Sequence, residues 1–124
     1  MDGRAAMVFG ALAGLVGVVL GAFGAHALSG MLSPERLEVW ETAVRYQFVH
    51  ALALVFIGTL HPASGGAWLR WSTASLMAGV IVFCGSLYLL CLTGVPWLGA
   101  ITPIGGVLWV VGWALLAVYA VRHR

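Results

Sequence analysis

The chain has very little charge, and it has no lysine at all. Only 8% of its 124 residues are charged, 62% are hydrophobic, and the mean hydropathy is +1.03. A chain with so few polar residues does not form a water-soluble domain, and this composition is typical of a membrane protein. The net charge of +2, without a basic stripe interleaved with aromatic residues, gives no reason to expect a nucleic-acid partner.

Residues that hold metals or redox cofactors are also scarce. The two cysteines, Cys84 and Cys91, are seven residues apart without a partner motif, so we expect small buried side chains. His26 and His50 differ in depth by roughly 10 Å, which is too far for one haem iron. We therefore expect no metal, no catalytic residue and no cofactor, although a bound lipid or quinone stays open.

Four long apolar runs are present, and runs of roughly 20 apolar residues are typical of membrane spans. They lack the strict alternation of barrel strands, so helices are the remaining way to cross lipid. We predict an all-α integral membrane protein, a four-transmembrane-helix bundle that forms a single domain over residues 1–124. The predicted spans are approximately 5–28, 39–60, 69–92 and 103–121.

The first run is longer than the roughly 7 to 15 apolar residues of a signal peptide, so we expect a retained span. With four spans, the arginines fall mainly on one side: Arg4, Arg70, Arg122 and Arg124, against Arg36 and Arg45 on the other. The positive-inside rule then places both termini in the cytoplasm.

Ser33 and Pro34 are typical of an N-cap and a first helical position, and they predict a second helix from Pro34 to about Leu60. Such a helix is about 40 Å long, which exceeds a ~30 Å hydrocarbon core. Its start should be an interfacial extension, with Trp40 at the membrane boundary. Thr102 and Pro103 repeat the signal and predict the start of the fourth helix.

Five of the ten charged residues lie between positions 35 and 45. If the membrane begins near Glu41, Arg45 lies about 6 Å inside it, where a cation needs a partner. Glu38 and Glu41 share its helix face, so an ion pair with Arg45 is available. Two interpretations stay open. Glu38, Glu41 and Arg45 only neutralise one another at the outer edge of the bundle, or Arg45 binds a ligand.

Other polar side chains end near the same interface, and together they predict a ligand or interface pocket. Its members are His26, Arg45, Tyr46, Gln47, His50, Ser86, Tyr88 and Thr102. His50 is either a neutral histidine hydrogen-bonded inside the bundle or a proton relay. Ser72, Thr73 and Ser75 near the other end are interpreted as surface or back-bonded hydroxyls.

Glycines recur along the first span at spacings of four and three, which keeps them on one helical stripe: Gly10, Gly14, Gly17, Gly21 and Gly24. Small residues at this spacing let membrane helices approach closely. The stripe predicts helix packing inside the bundle, although a dimer seam uses the same pattern.

Several segments carry a family resemblance: Gly21-Ala-Phe-Gly-Ala-His-Ala-Leu28, Thr42-Ala-Val-Arg-Tyr-Gln-Phe-Val-His-Ala-Leu-Ala-Leu54, Gly85-Ser-Leu-Tyr88 and Thr102-Pro-Ile-Gly-Gly106. With these segments the chain resembles the domain of unknown function 423 family, the transmembrane protein 256-like small membrane proteins. The resemblance implies a four-helix protein of the bacterial inner membrane without an established activity. It picks out the same polar residues as the depth argument.

Three functional hypotheses follow. The first is an accessory or assembly subunit of a larger inner-membrane complex, whose partners are membrane lipid and other membrane subunits or further copies of the chain. The second is a stand-alone protein or enzyme that binds a quinone or lipid, with Arg45 on an anionic or carbonyl oxygen. The third is a small proton-coupled transporter, in which His50 acts alone because every acid lies at or outside the interface.

Overall fold

A computed structural model describes residues 3–60 and 66–122, and all regular elements in these ranges are helices. Their order is α1 (Gly3–His26), a 3₁₀ turn (Leu28–Gly30), α2 (Pro34–Leu60), α3 (Gly66–Gly79), a π-helical segment (Val80–Cys84), α4 (Gly85–Thr93) and α5 (Leu98–Arg122). Helix α3, the π segment and α4 run on without a break and form one long helix.

Four helical stretches are long and apolar enough to cross a membrane within the described ranges: Gly3–Gly30, Pro34–Leu60, Gly66–Thr93 and Leu98–Arg122. The predicted fold class, a four-helix membrane bundle, is confirmed. Helix α1 packs on α2, and α5 packs on the long helix formed by α3 and α4. Helix α2 contacts α1 on one side and the long helix on the other, so it lies between them in the bundle.

The glycine stripe of α1 lies against α2. A Cβ atom added to Gly10 would lie 2.7 Å from the Ala51 carbonyl oxygen, and one on Gly17 would lie 3.0 Å from the Phe48 ring. Gly24 accommodates the Trp40 ring in the same way, at 2.6 Å, whereas a Cβ on Gly14 would meet nothing within 4 Å. Four of the five stripe glycines therefore face α2, since Gly21 lies beside Val44.

Helix α2 begins and ends where the sequence predicts, at Pro34 and Leu60. The Ser33 Oγ accepts a hydrogen bond from the Arg36 N–H at 3.3 Å, which satisfies one free donor of the first turn. The membrane boundary at Trp40 stays a prediction, but the side chain packs inside the bundle: it is only 2% exposed, and its Nε1–H donates to the Leu20 carbonyl at 2.9 Å. The space over Gly24 makes this burial possible.

The predicted start of the fourth helix is wrong, because α5 begins at Leu98 and contains Pro103. Helix α4 ends at Thr93, and the φ of +72° at its C-cap Gly94 lets the Gly94 N–H bond to the Leu90 carbonyl. A short turn then leads directly into α5. Pro103 is the sixth residue of α5, and without an N–H it cannot donate to the Gly99 carbonyl one turn earlier.

Close backbone contacts also join α5 to the long helix. A Cβ on Gly105 would lie 2.5 Å from the Phe83 nitrogen in the π segment, and one on Gly112 would lie 2.6 Å from Leu76. Gly79 in α3 makes room for the Trp109 ring. A buried cluster of Leu54, Ile57, Leu69, Leu76, Val80, Cys84, Trp109 and Tyr119 fills the centre of the bundle.

Candidate functional site

The eight residues predicted to form one pocket are divided among separate places in the described structure. Gln47 and Tyr88 form one pair inside the bundle, and Ser86 and Thr102 form another. Tyr46 and His50 line a groove between α2 and α5, Arg45 lines a groove between α1 and α2, and His26 is exposed.

Gln47 links three helices. Its Nε2 donates to the Ala13 carbonyl of α1 at 2.7 Å, and its Oε1 accepts a hydrogen bond from the Tyr88 hydroxyl of α4 at 2.6 Å. The Tyr88 ring also lies 4.7 Å, centre to centre, from the Trp40 ring. Both ends of the amide are thus satisfied inside the bundle, which points to a role in helix packing.

Ser86 and Thr102 join α4 to α5 through their hydroxyl oxygens, which lie 2.6 Å apart. Each hydroxyl also has a backbone carbonyl within hydrogen-bond distance on its own helix: Phe83 for Ser86 and Leu98 for Thr102. Both hydroxyls therefore already have hydrogen-bond partners within the bundle.

His50 is buried, and both of its ring nitrogens have partners. The Nδ1 atom lies 2.7 Å from the Tyr46 carbonyl oxygen, and Trp113 Nε1–H donates to Nε2 at 3.1 Å. A carbonyl only accepts and an indole N–H only donates, so Nδ1 carries the proton and the ring is neutral. The ring also stacks on Trp109, with centroids 3.8 Å apart and an angle of 5°. This geometry favours the structural interpretation of His50.

The α2/α5 groove runs beside this histidine and has a volume of about 440 Å³. Its lining includes Tyr46, Phe83, Trp109, Trp113 and two valines. The Tyr46 ring is 44% exposed and stacks on Trp109 at 5.7 Å. The groove therefore offers flat aromatic surfaces.

The α1/α2 groove has a volume of about 290 Å³ and holds the two charged side chains Glu41 and Arg45. Its remaining lining residues are Gly21, Gly24, Ala25, Trp40, Val44 and Phe48. Glu38, Glu41 and Arg45 are all exposed, and within residues 3–60 and 66–122 no ion pair joins them. The predicted ion pair among them stays a prediction.

A third groove, which the sequence reasoning missed, lies between α3 and α5 and has a volume of about 550 Å³. It is lined by Ala67, Trp68, Trp71, Ala74, Ser75, Ala78, Leu108, Val111 and Leu115. Alanines at 67, 74 and 78 recur at helical spacing, and this small-residue pattern was the available signal. We call this surface the alanine groove.

The prediction of surface or back-bonded hydroxyls in α3 is wrong for two serines. Ser72 Oγ–H donates to the Gly112 carbonyl at 2.7 Å, and Ser75 Oγ–H donates to the Leu108 carbonyl at 2.5 Å. Thr73 does bond back to its own helix, at the Leu69 carbonyl. The serines face α5 because glycine at position 112 lets the two helices approach.

The two cysteines are free and buried, as predicted. Cys84 Sγ lies 3.3 Å from the Ala43 carbonyl oxygen, and Cys91 Sγ lies 3.2 Å from the Arg36 carbonyl oxygen. In the described ranges no three His, Cys, Asp or Glu side chains are grouped so that they could hold a metal ion.

The four long apolar helices define a four-span helical membrane protein. The model of the family described as "Protein of unknown function (DUF423)" matches residues 20–106, and the chain belongs to this family. A UPF0382 membrane protein of Staphylococcus aureus is 46% identical over 112 residues, which is 90% of this chain and 91% of that protein. The UPF0382 membrane protein YwdK of Bacillus subtilis is 42% identical over 118 residues, covering 94% and 96% of the two chains. No solved structure matches the chain.

Proposed function

We propose that this protein is an accessory subunit of a larger membrane complex, and that a transmembrane helix of a partner protein occupies its alanine groove. The observation that carries the proposal is the alanine groove itself: a wide apolar channel on the outside of the bundle, floored by small side chains. Membrane helices associate through van der Waals packing, and small residues allow the close approach that this packing needs.

The interior of the bundle supports the same proposal. The buried polar side chains Gln47, His50, Ser72 and Ser86 have hydrogen-bond partners within the bundle. Polar groups that are already paired hold helices together and are poorly suited to bind and release a substrate. The short connections between helices leave the lipid-facing surface as the place to meet a partner.

The shape of the groove favours a different chain over a second copy. In a two-fold dimer whose axis passes through the groove, the same concave surface would face itself, and two channels facing each other do not fill one another. The channel is concave, so its occupant has to be convex, and Trp68 and Trp71 are among the side chains that would contact it. A single helix of another membrane protein has this shape, with a diameter of about 10–12 Å.

The test is site-specific photocrosslinking in membranes, with a photoreactive residue at Ala74 in the groove and, as control, at Leu52 on the lipid-facing side of α2. We expect a discrete polypeptide adduct from position 74 that is absent from position 52. Filling the groove with Ala78→Trp should remove the adduct, whereas Ile81→Trp outside it should not. Adducts to lipid alone, or to the same polypeptide from both positions, would contradict the proposal.

A second candidate function is the binding of a quinone or a similar flat ring in the α2/α5 groove. The exposed Tyr46 ring and the neighbouring Trp109 and Trp113 favour it, since offset stacking stabilises flat rings by about 0.5–1.5 kcal/mol. Quinone extracted with the purified protein should decrease in Tyr46→Ala and stay unchanged in Leu52→Ala, which lies outside the groove. Equal quinone content in the two variants would exclude this site.

We also propose that the protein lies in the bacterial inner membrane with both termini in the cytoplasm. Arg4 in α1 and Arg122 in α5 mark the two chain ends, and Arg70 lies near the start of α3 on the same side. The positive-inside rule supports this orientation. Reporter fusions to the C-terminus should be active only for a cytoplasmic reporter, and activity of a periplasmic reporter would reverse the orientation.

A further inference from the structure

We propose that the α1/α2 groove binds a phospholipid with an ethanolamine headgroup, with Arg45 on its phosphate and Glu41 on its ammonium group. The site is independent of the alanine groove, because it lies on α1 and α2 rather than on α3 and α5. The proposal rests on the juxtaposition of one cation, one anion and a glycine-floored channel in a single groove.

The cation needs a partner that the described residues do not supply. Arg45 lies within a helix that crosses the membrane, twelve residues inward from Ser33, and its side chain is exposed. Within residues 3–60 and 66–122 no ion pair or hydrogen bond holds the guanidinium. An arginine at depth in a bilayer is costly unless an anion or water meets it. Phosphate is the anion that lipid itself supplies, and guanidinium binds it through paired N–H donors.

The order of the two charges matches one class of headgroup. Glu41 is four residues before Arg45, so it lies about 6 Å closer to the membrane surface at which α2 begins. In an ethanolamine phospholipid the phosphate is attached to glycerol and the ammonium lies beyond it. A lipid whose phosphate meets Arg45 therefore extends its ammonium group towards Glu41. A glycerol headgroup has no cation for Glu41, and a choline headgroup has no N–H donors.

The floor of the groove gives space for the hydrocarbon part of the lipid. Gly21 lies in the floor, and a Cβ added there would only reach ordinary contact with Val44, at 3.4 Å. Phe48 lines the groove one turn deeper than Val44, and Gly17 faces its ring. Apolar walls at this depth suit the upper part of an acyl chain.

The helix provides a matched control for the arginine. Arg36 lies on the same helix, but its guanidinium is directed to Gly94 in the turn after α4, where an added Cβ would lie 2.7 Å from Nη2. Arg36 is absent from the lining of the α1/α2 groove. Substitution of Arg36 removes the same charge without touching the proposed site.

The experiment is native mass spectrometry of the detergent-purified, delipidated full chain titrated with phosphatidylethanolamine, phosphatidylcholine or phosphatidylglycerol. We expect wild type to retain phosphatidylethanolamine most strongly. Arg45→Gln should weaken retention of all three lipids by about tenfold or more, because a charge-assisted bond to phosphate is lost. Glu41→Gln should abolish the preference for ethanolamine over glycerol, and Arg36→Gln should leave the wild-type pattern intact.

Several results would overturn the proposal. The proposal is wrong if wild type retains the three lipids equally, or if Glu41→Gln still prefers the ethanolamine lipid. It is also wrong if Arg36→Gln and Arg45→Gln lose lipid retention to the same extent. Competition by inorganic phosphate or glycerophosphoethanolamine as strong as that by whole lipid would show that the acyl chains make no contribution, which also overturns it. Gly21→Leu should block the groove while Gly21→Ala should not, and far-ultraviolet circular dichroism checks that each variant is folded.

Discussion

The Tyr88 hydroxyl donates a 2.6 Å hydrogen bond to the Gln47 side-chain oxygen and so ties α4 to α2 in the apolar interior. Gln47 in turn donates to the Ala13 carbonyl of α1, so one side chain joins three helices. Buried polar groups that lose such partners carry a desolvation penalty.

The first prediction concerns this link. Gln47→Leu should lower the free energy of unfolding in detergent by about 1–3 kcal/mol, since it leaves the Tyr88 hydroxyl without its acceptor. Tyr88→Phe alone should cost less, and in the double variant the two effects should fall short of additive by about 1 kcal/mol. Fully additive effects, measured by chemical denaturation, would mean that the bond contributes nothing.

Glycines of one stripe should differ in their response to a methyl group. Gly10→Ala should destabilise the bundle by about 1–3 kcal/mol, because the added Cβ would lie 2.7 Å from the Ala51 carbonyl oxygen and force α1 away from α2. Gly14→Ala is the matched control, since its Cβ would meet nothing within 4 Å. It should be neutral or stabilise by up to about 1 kcal/mol through helix propensity. Equal thermal stabilities of the two variants would contradict this packing.

The hydrogen bonds of His50 predict a single neutral tautomer. Nitrogen-15 nuclear magnetic resonance of the side chain should show a protonated Nδ1 and an unprotonated Nε2 at neutral pH. Trp113→Phe removes the indole donor and should shift the Nε2 resonance while it leaves Nδ1 protonated. A signal typical of imidazolium, or of the Nε2–H tautomer, would revive the proton-relay hypothesis.

Local signals predicted the helices well and the interior poorly. The ends of α2 follow from Ser33-Pro34 and His61-Pro62, because capping and proline act within a few residues. The burial of Trp40 depends on the small size of Gly24 in another helix, which no local pattern contains. Pro103 gave a wrong helix start because proline is favoured at the first helical position, whereas here it is the sixth residue of α5.

The single polar pocket was predicted from depth alone, and depth does not determine direction. Consecutive helical residues are rotated by about 100°. Arg45, Tyr46 and Gln47 therefore lie at similar depth but reach the α1/α2 groove, the α2/α5 groove and the bundle interior, respectively. Helix rotation is set by interhelical contacts such as those of Gly10 and Gly17, which become visible only in the assembled bundle.

Native mass spectrometry of the complex extracted in mild detergent tests whether the alanine groove holds a partner helix. We expect a stoichiometric complex of this chain with a second membrane polypeptide, which is lost in Ala74→Trp and retained in Leu52→Trp. A wild-type protein found only as a partner-free monomer, or a complex that survives Ala74→Trp unchanged, would contradict it.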